Sequence, residues 1–386
     1  MKPIYDFIMA GGGAAGLGLA YTLLSREFKN SSVAIIDREQ KKTNDRTWCF
    51  WTDQTTPYDS ILYRSWDHIR FTSPSFDRVY QLDPFRYQML RGLDFYRFTR
   101  AFLENLPNVI FIYGNIESIQ DGENYAEVIV DGQPVQGKWV FDSFYRLGEI
   151  VVDPLRYHNV KQHFLGWEIK TDRDVFQPNI PVMFDFRVPQ DGAMRFCYIL
   201  PFSPREALIE YTLFSPNLLT ADEYETGLRS YILNTLSIHQ FEIVAREAGV
   251  IPMTDRPFAR RGGQRILFTG TKGGRVKPST GYAFYRIHQD NQAIHNSLLE
   301  TGTPFNLPTS PWYSRMQDSV MLQLMVHRGD DMSYYFTELF KNNPIQRLFH
   351  FLDESATLSE EIGVMASLPV MPFLSAAVKV NLFGRI

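Results

Sequence analysis

The chain reads as an α/β protein. A doubly wound, Rossmann-like domain opens it, an antiparallel β-sheet is inserted into that domain, and a helical region ends it. Three observations predict this architecture. A strand, a glycine turn, a helix and a second strand occupy residues 4–37, long strands follow one another from Val160 to Phe214, and residues 305–386 read as helical and apolar with prolines at 344, 369 and 372.

Ile4, Tyr5, Phe7, Ile8 and Met9 make a short buried strand that runs into Gly11-Gly12-Gly13-Ala14-Ala15-Gly16-Leu17-Gly18. Leu17, Ala20, Leu23 and Leu24 then recur at helical spacing. Gly11, Gly13 and Gly16 have GxGxxG spacing: one glycine for the tight turn, one for close approach to a pyrophosphate, one for packing helix on strand. The helix start offers free N–H groups and a positive dipole end to the phosphates. The second strand, Val33-Ala34-Ile35-Ile36, ends in Asp37, where a carboxylate takes the ribose hydroxyls. A glycine turn without a ligand shares the local pattern, but not the acid at the right distance. A nucleotide unit beginning at residue 11 fits FAD better than NAD, because in many flavoproteins of the glutathione-reductase type the FAD unit opens the chain.

With 386 residues the chain suggests two intimately joined domains, and 44% hydrophobic residues suffice for a large core. The 39 basic and 43 acidic residues nearly cancel, so nothing points to nucleic acid. Thirty Phe, 20 Tyr and 6 Trp are core filling or the lining of a pocket for a long apolar or cationic ligand. Cys49 and Cys197 are too few for a disulfide framework or a metal cluster, which suits a reducing compartment. Lys2 is followed at once by a strand, so no basic-then-apolar leader is expected. No run of 18 apolar residues suggests a membrane span.

Lys41 to Trp51 mixes charge and aromatics in an expected loop, with Asp45 and Arg46 a surface ion pair and Trp48 and Trp51 packing or binding residues. Ile69–Phe71 and Arg78–Leu82 read as short strands, and Arg91 precedes a helix over Asp94–Leu106 with Asp94 as N-cap. Val109–Tyr113, Glu117–Gln120, Ala126–Val130 and Gly137–Phe141 alternate around Asp-Gly turns as a β-meander that returns the chain to the parallel sheet at Phe141-Asp142. Gln162–Lys170, Val182–Val188, Met194–Leu200 and Glu206–Phe214 form the antiparallel sheet, covered by a helix over Ala221–Leu236. Ile266-Leu267-Phe268 resumes the nucleotide fold, and Gly270-Thr271-Lys272-Gly273-Gly274 is a second glycine loop. A helix over Tyr282–Leu299, capped by Ser279 or Thr280, is either an ordinary capped helix or one aimed at a flavin. Residues 1–75, 95–158 and 255–300 are thus assigned to the nucleotide domain, 76–94 and 159–254 to the sheet domain, and 301–386 to a helical lid. Val364–Val380 is a core or lid helix, or an entrance dipping into a membrane.

Glu210 lies in the strand Ala207–Phe214 with apolar residues on both faces, sharing its side with Leu208, Thr212 and Phe214. A carboxyl there loses water, which raises its pKa; folds avoid that cost unless the proton is used, or unless the Glu pairs with an Arg or sits at a strand end.

Taken with Arg46-Thr47-Trp48-Cys49-Phe50-Trp51, Gln162–Trp167, Ala207–Thr212, Ile251-Pro252-Met253-Thr254 and Gly273–Tyr282, the glycine motif makes the chain resemble the bacterial FAD-dependent lycopene β-cyclase family over nearly its whole length. Many members carry Glu-Asp-Thr where this chain has Glu210-Tyr211-Thr212, so a second acid is missing while the Glu is kept. The resemblance implies a non-redox, acid/base cyclisation of the end groups of lycopene to β-ionone rings, with reduced FAD required and NAD(P)H as reductant. Glu210 takes the catalytic place. The implied cofactor-binding residues are Gly11, Gly13, Ala14, Ala15, Gly16, Asp37, Arg38, Arg46, Thr47, Trp48, Arg91, Gly270, Gly274, Pro278, Ser279, Thr280 and Gly281. The implied substrate-binding residues are Phe164, Trp167, Tyr198, Thr212 and Phe214, and no metal is expected. A lipophilic substrate implies peripheral attachment to the inner leaflet from the cytoplasm, with Phe373 and Leu374 at the lip. A flavin monooxygenase, a prenyl-chain reductase and a non-catalytic carotenoid-binding flavoprotein are the alternatives.

Overall fold

The computed structural model describes residues 3–145 and 148–382; Met1, Lys2, Arg146, Leu147 and residues 383–386, all within ranges read above, lie outside the described residues. The chain opens as β1 (Ile4–Ala10), α1 (Ala14–Leu24) and β2 (Val33–Asp37). β1 and β2 pair in parallel, Met9 opposite Ile35, and their aliphatic runs are buried as strands covered on both faces require.

Five short strands follow: β3 (Thr47–Thr52), β4 (Arg64–Trp66), β5 (His68–Ser73), β6 (Phe76–Gln81) and β7 (Arg86–Arg91). The loop expected over Lys41–Trp51 is therefore half strand. β3 runs antiparallel to β7, Thr47 opposite Arg91 and Trp51 opposite Tyr87. Its alternation has two apolar sides: Trp48 and Phe50 join the nucleotide-domain core, and Cys49 and Trp51 the core under the second sheet. α2 (Gly92–Leu103) starts before the expected cap at Asp94 and has no side-chain cap. Its start is set by β3 instead, since the Gly92 N–H donates to the Arg46 carbonyl at 2.7 Å.

β8 (Val109–Tyr113), β9 (Ile116–Gln120), β10 (Ala126–Val130) and β11 (Gln133–Asp142) come next. Only the last three form the meander. β8 lies parallel beside β2, Phe111 opposite Ile35, because its apolar side completes the core around α2. β11 is long enough to pair with β10 in one half and run parallel to β1 in the other.

The second sheet is built from β12 (Val160–Thr171), β13 (Val182–Asp185), β14 (Met194–Ser203) and β15 (Glu206–Ser215). α3 (Ala221–Ser230) covers it, shorter than expected because residues Tyr231–Thr235 form a π turn. A strand that the sequence did not suggest, β16 (Phe241–Met253), completes one edge. The order is β16-β12-β15-β14-β13-β5-β6, so β5 joins this sheet rather than the first, and its pairing with β13 is parallel. β17 (Ile266–Phe268) returns to β11, and α4 (Phe284–Thr301) packs against α1. The rest is helical: α5 (Trp312–His327), α6 (Met332–Asn342), α7 (Ile345–Leu352), α8 (Leu358–Ala366) and α9 (Val370–Leu382).

Strand alternation gives the second sheet two apolar faces. Trp167, Cys197, Ile209 and Tyr211 lie under α3. Phe196, Tyr198, Leu208 and Phe214 face the C-terminal helices together with Trp51 and Tyr87. Glu210 is on this second face.

Candidate active site

The first glycine loop is a cradle that side chains would fill. Gly11 has a φ of +119°, and a Cβ on Gly16 would stand 1.9 Å from the Gly11 carbonyl oxygen, so α1 can begin here only with glycine at both positions. A Cβ on Gly13, the N-cap, would meet nothing within 4 Å, and no side chain caps the helix. The first-turn N–H groups at Ala14 and Ala15 are left for an outside acceptor. Asp37 ends β2 with Oδ2 accepting from the Gly12 N–H at 3.0 Å. A cleft of about 280 Å³ lined by Gly12, Ile35, Asp37, Lys41, Tyr96 and Arg100 lies beside it. Open helix N–H groups followed by a strand-end carboxylate fit a dinucleotide. The Arg38 side chain is not in this cleft; it is exposed beside Glu39.

The second glycine loop ties this cradle to the second sheet. Gly270 (φ +57°) rests on Ala15, 3.0 Å from a built Cβ, and Gly274 (φ +72°) on Phe258. Beyond Pro278, a Cβ on Gly281 (φ +75°) would lie 1.9 Å from Gln162 Oε1 on β12. The expected cap on α4 is not made: Ala283 is the N-cap and bears no capping bond. Ser279 bonds Asp318, and Thr280 accepts from the Tyr282 N–H at 3.4 Å. The α4 N–H groups are open as well.

Other expected cofactor residues have different places. Trp48 stacks on Phe284, centroids 4.9 Å apart, against the nucleotide-domain core. Arg46 is exposed, and its carbonyl accepts from the Gly92 N–H. The Arg91 guanidinium lies 3.5 Å over the Tyr63 ring and 3.3 Å from Glu168. Thr47 donates to Glu247 Oε2 at 2.8 Å.

Glu247 was not anticipated. One row of residues crosses four strands: Tyr198 on β14 faces Glu210 on β15, Glu210 faces Gly166 on β12, and Gly166 faces Glu247 on β16. Gly166 presents no side chain, so the two glutamates meet over it; a Cβ there would stand 3.0 Å from Glu210 Cγ and 3.1 Å from Glu247 Cγ. Burial first, then the hydrogen-bonded Glu247 carboxyl, push Glu210 well above the usual carboxyl range. Glu210 keeps some exposure as a residue, but its carboxyl is enclosed by protein. The signal that marks Glu247 is the alternation Ala245, Glu247, Gly249, Ile251 leading into Pro252.

The surroundings are aromatic and neutral. Burial pushes the Cys49 thiol and the Tyr87, Tyr198 and Tyr282 phenols upward. Phe164, Thr212 and Phe214 share the face of Glu210, and the Thr212 hydroxyl is buried with no partner. Trp167 is on the other face, its indole under the Arg229 and Arg246 guanidiniums, because its odd position on β12 points it at α3. A cavity of about 1120 Å³ lined by Phe184, Phe214, Tyr282, Phe336, Leu339 and Phe373 runs between the sheet and the helices. Phe214 is four residues from Glu210, roughly 13 Å along the strand.

On the cavity wall, Lys277 Nζ stands 2.9 Å from Asp318 Oδ1 and 2.7 Å from Glu354 Oε1, which also meets Arg286 at 3.1 Å. Burial would raise Glu354, yet Lys277 and Arg286 hold it at about 2; burial pushes neighbouring Asp353 up to about 7.

Comparison with known proteins adds three findings. The family described as lycopene cyclase protein matches residues 6–378. A lycopene beta-cyclase of Pantoea ananas is 23% identical over 97% of this chain and 98% of its own length, and one from Paracoccus sp. (strain N81106 / MBIC 01143) is 48% identical over 56% of this chain and 58% of its own. A flavoprotein/dehydrogenase of Cytophaga hutchinsonii is similar in structure, with a TM-score of 0.62 at 10% identity, over 99% of this chain and 100% of that one.

Proposed function

The chain belongs to the lycopene cyclase protein family, and on that premise we propose that it is a lycopene β-cyclase that closes the end groups of lycopene to β-ionone rings by acid/base chemistry without net redox change. The observation that carries this reading is Glu210: a carboxyl kept protonated by burial, on the cavity face of the second sheet.

The two glycine loops would hold FAD, with phosphates at Ala14 and Ala15, ribose at Asp37, and the Gly274–Gly281 segment toward the second sheet. Bound in its reduced form, FAD would supply negative charge to the site, with NAD(P)H as its reductant. The side chains of the site do the rest. The apolar cavity takes the polyene and excludes water. Glu210 gives its proton to the terminal C1=C2 bond, leaving a tertiary cation. A neighbouring double bond closes the ring, and a ring proton returns to Glu210. The Tyr198 ring, paired with Glu210 across the strands, and the Tyr282 ring beside it are suited to the cation, each cation–π contact contributing about 2 kcal/mol when dry.

Access from a membrane fits the C-terminal helices. Among the described residues no single helix is long and apolar enough to cross a bilayer, but α8 and α9 are bent by 116° and leave Met371 73% and Val370 67% exposed. Leu368 and Phe373 of the same elbow line the cavity. That arrangement supports peripheral attachment to a membrane, the inner leaflet being the side reached from the cytoplasm.

Anaerobic incubation of lycopene with the protein and dithionite-reduced FAD, followed by chromatography, tests the assignment. Ringed carotenes are expected with no NAD(P)H or oxygen consumed per ring. E210Q is expected to lower the rate by about 10²–10⁴-fold with flavin still bound; full cyclisation by that variant would reject the acid role.

A further inference from the structure

We propose, resting on Glu210 as the acid, that Glu247 is a positioning residue: the two carboxyls act as one unit holding a single proton across Gly166, with Thr47 fixing Glu247. Four observations carry this. The strand register sets Glu210 and Glu247 on either side of Gly166 on one face. A glycine there is required for them to meet, since a Cβ would press both side chains. Thr47 Oγ1 fills Glu247 Oε2 at 2.8 Å. Glu247 Oε1 is buried with no donor on it among the described residues, and a proton on Glu210 supplies the donor it lacks.

The neighbours leave this unit to titrate by itself. β3 contributes Cys49, β7 Tyr87, β14 Tyr198 with Cys197 behind it, and the Gly281 loop Tyr282; burial keeps these thiols and phenols neutral. Arg91 is engaged by Glu168, and Arg246 by Glu225. Two bare carboxylates here would repel, so one proton is retained.

The unit balances the reaction at both ends. In the first step the alkene π pair takes the proton, the new bond is C–H, and the O–H pair stays on Glu210. The tertiary cation then faces two carboxylates instead of one. Loss of the ring proton to Glu210 restores the starting state, with no electrons transferred. Glu247 therefore helps keep the proton on Glu210 and adds a second negative charge when the cation forms.

The test is E247Q in the whole chain, read by the infrared carbonyl band of the protonated carboxyl in the absence of substrate and by the pH dependence of kcat. Because the protonated form is active, activity falls as pH rises through the pKa of the pair. Removing the like charge is expected to move both the band and the alkaline limb down by about one pH unit or more, tenfold in proton affinity, with KM within about twofold of wild type. E247D, which draws the charge back by one methylene, is expected to shift the limb the same way by less, and serves if E247Q does not fold. An unchanged band and limb in these variants would overturn the pairing. Inactive E210Q with a wild-type profile in E247Q removes the pairing alone, whereas full cyclisation by E210Q removes the acid assignment beneath it.

Discussion

A single methyl group on Gly166 would press on Glu210 Cγ and Glu247 Cγ. Gly166→Ala is therefore expected to part the two carboxyls and lower kcat by about 10–100-fold through misplacement, at a stability cost of about 1–3 kcal/mol. Stopped-flow rates and thermal melts separate the two effects, and an unchanged kcat would show that the carboxyls need not meet. At this scale the sequence was legible where chemistry and pattern coincide. Glu210 stands out because apolar neighbours on both sides of its strand leave a carboxyl no route to water. Glu247 does not stand out, for a geometric reason. Phe241 and Ile243 begin β16 facing α3, and unbroken alternation would carry every odd residue to that side. The bulge opposite Glu168 and Ile169 adds one residue and turns Ala245 and Glu247 to the other face. Trp167 was misread for the simpler reason that its motif neighbours, not its parity, suggested the site.

The segment from Gly270 to α4 is the element that joins the nucleotide cradle to the second sheet, and the Lys277 cluster anchors it to the C-terminal region. Its two acids respond to pH in opposite senses. Glu354, held at about 2, contributes stability that is present above the unfolded carboxyl range and lost as pH falls toward 2. Asp353, raised to about 7, is comfortable only when protonated, so it costs stability increasingly as pH rises from its unfolded value through 7. Asp353→Asn removes that cost, and its gain over wild type in thermal unfolding is expected to be small at pH 5 and to reach up to about 4 kcal/mol at pH 8. An equal difference at both pH values would contradict the buried, protonated state. The glycine loop itself was legible from composition. The missing cap on α4 was not, because Ser279 meets a partner, Asp318, that is far away in sequence.

Across the described residues, the large aromatic content resolves into a packed core and the lining of a cavity between the second sheet and α5–α9. The doubly wound frame was readable from residues 4–37 and the returning strand at Phe141, since parallel strands and glycine turns have strong local signatures. Strand order in the second sheet was not, because a pairing such as β5 with β13 is decided by packing rather than by any local pattern. The elbow of α8 and α9 exposes Met371 and Leu374 beside the cavity. The double variant M371E and L374E is expected to lose co-flotation with anionic vesicles while still cyclising lycopene in detergent; flotation equal to wild type would place membrane contact elsewhere. The central claim, that an enclosed glutamic acid gives its proton to a polyene, is tested most directly by anaerobic cyclisation in heavy water with mass analysis of the product. In a single turnover of protein pre-exchanged in heavy water, one deuterium per ring formed is expected with the wild-type protein and a rate about 10²–10⁴-fold lower with E210Q; rings that carry no deuterium in that turnover, or that form at full rate without Glu210, would contradict it.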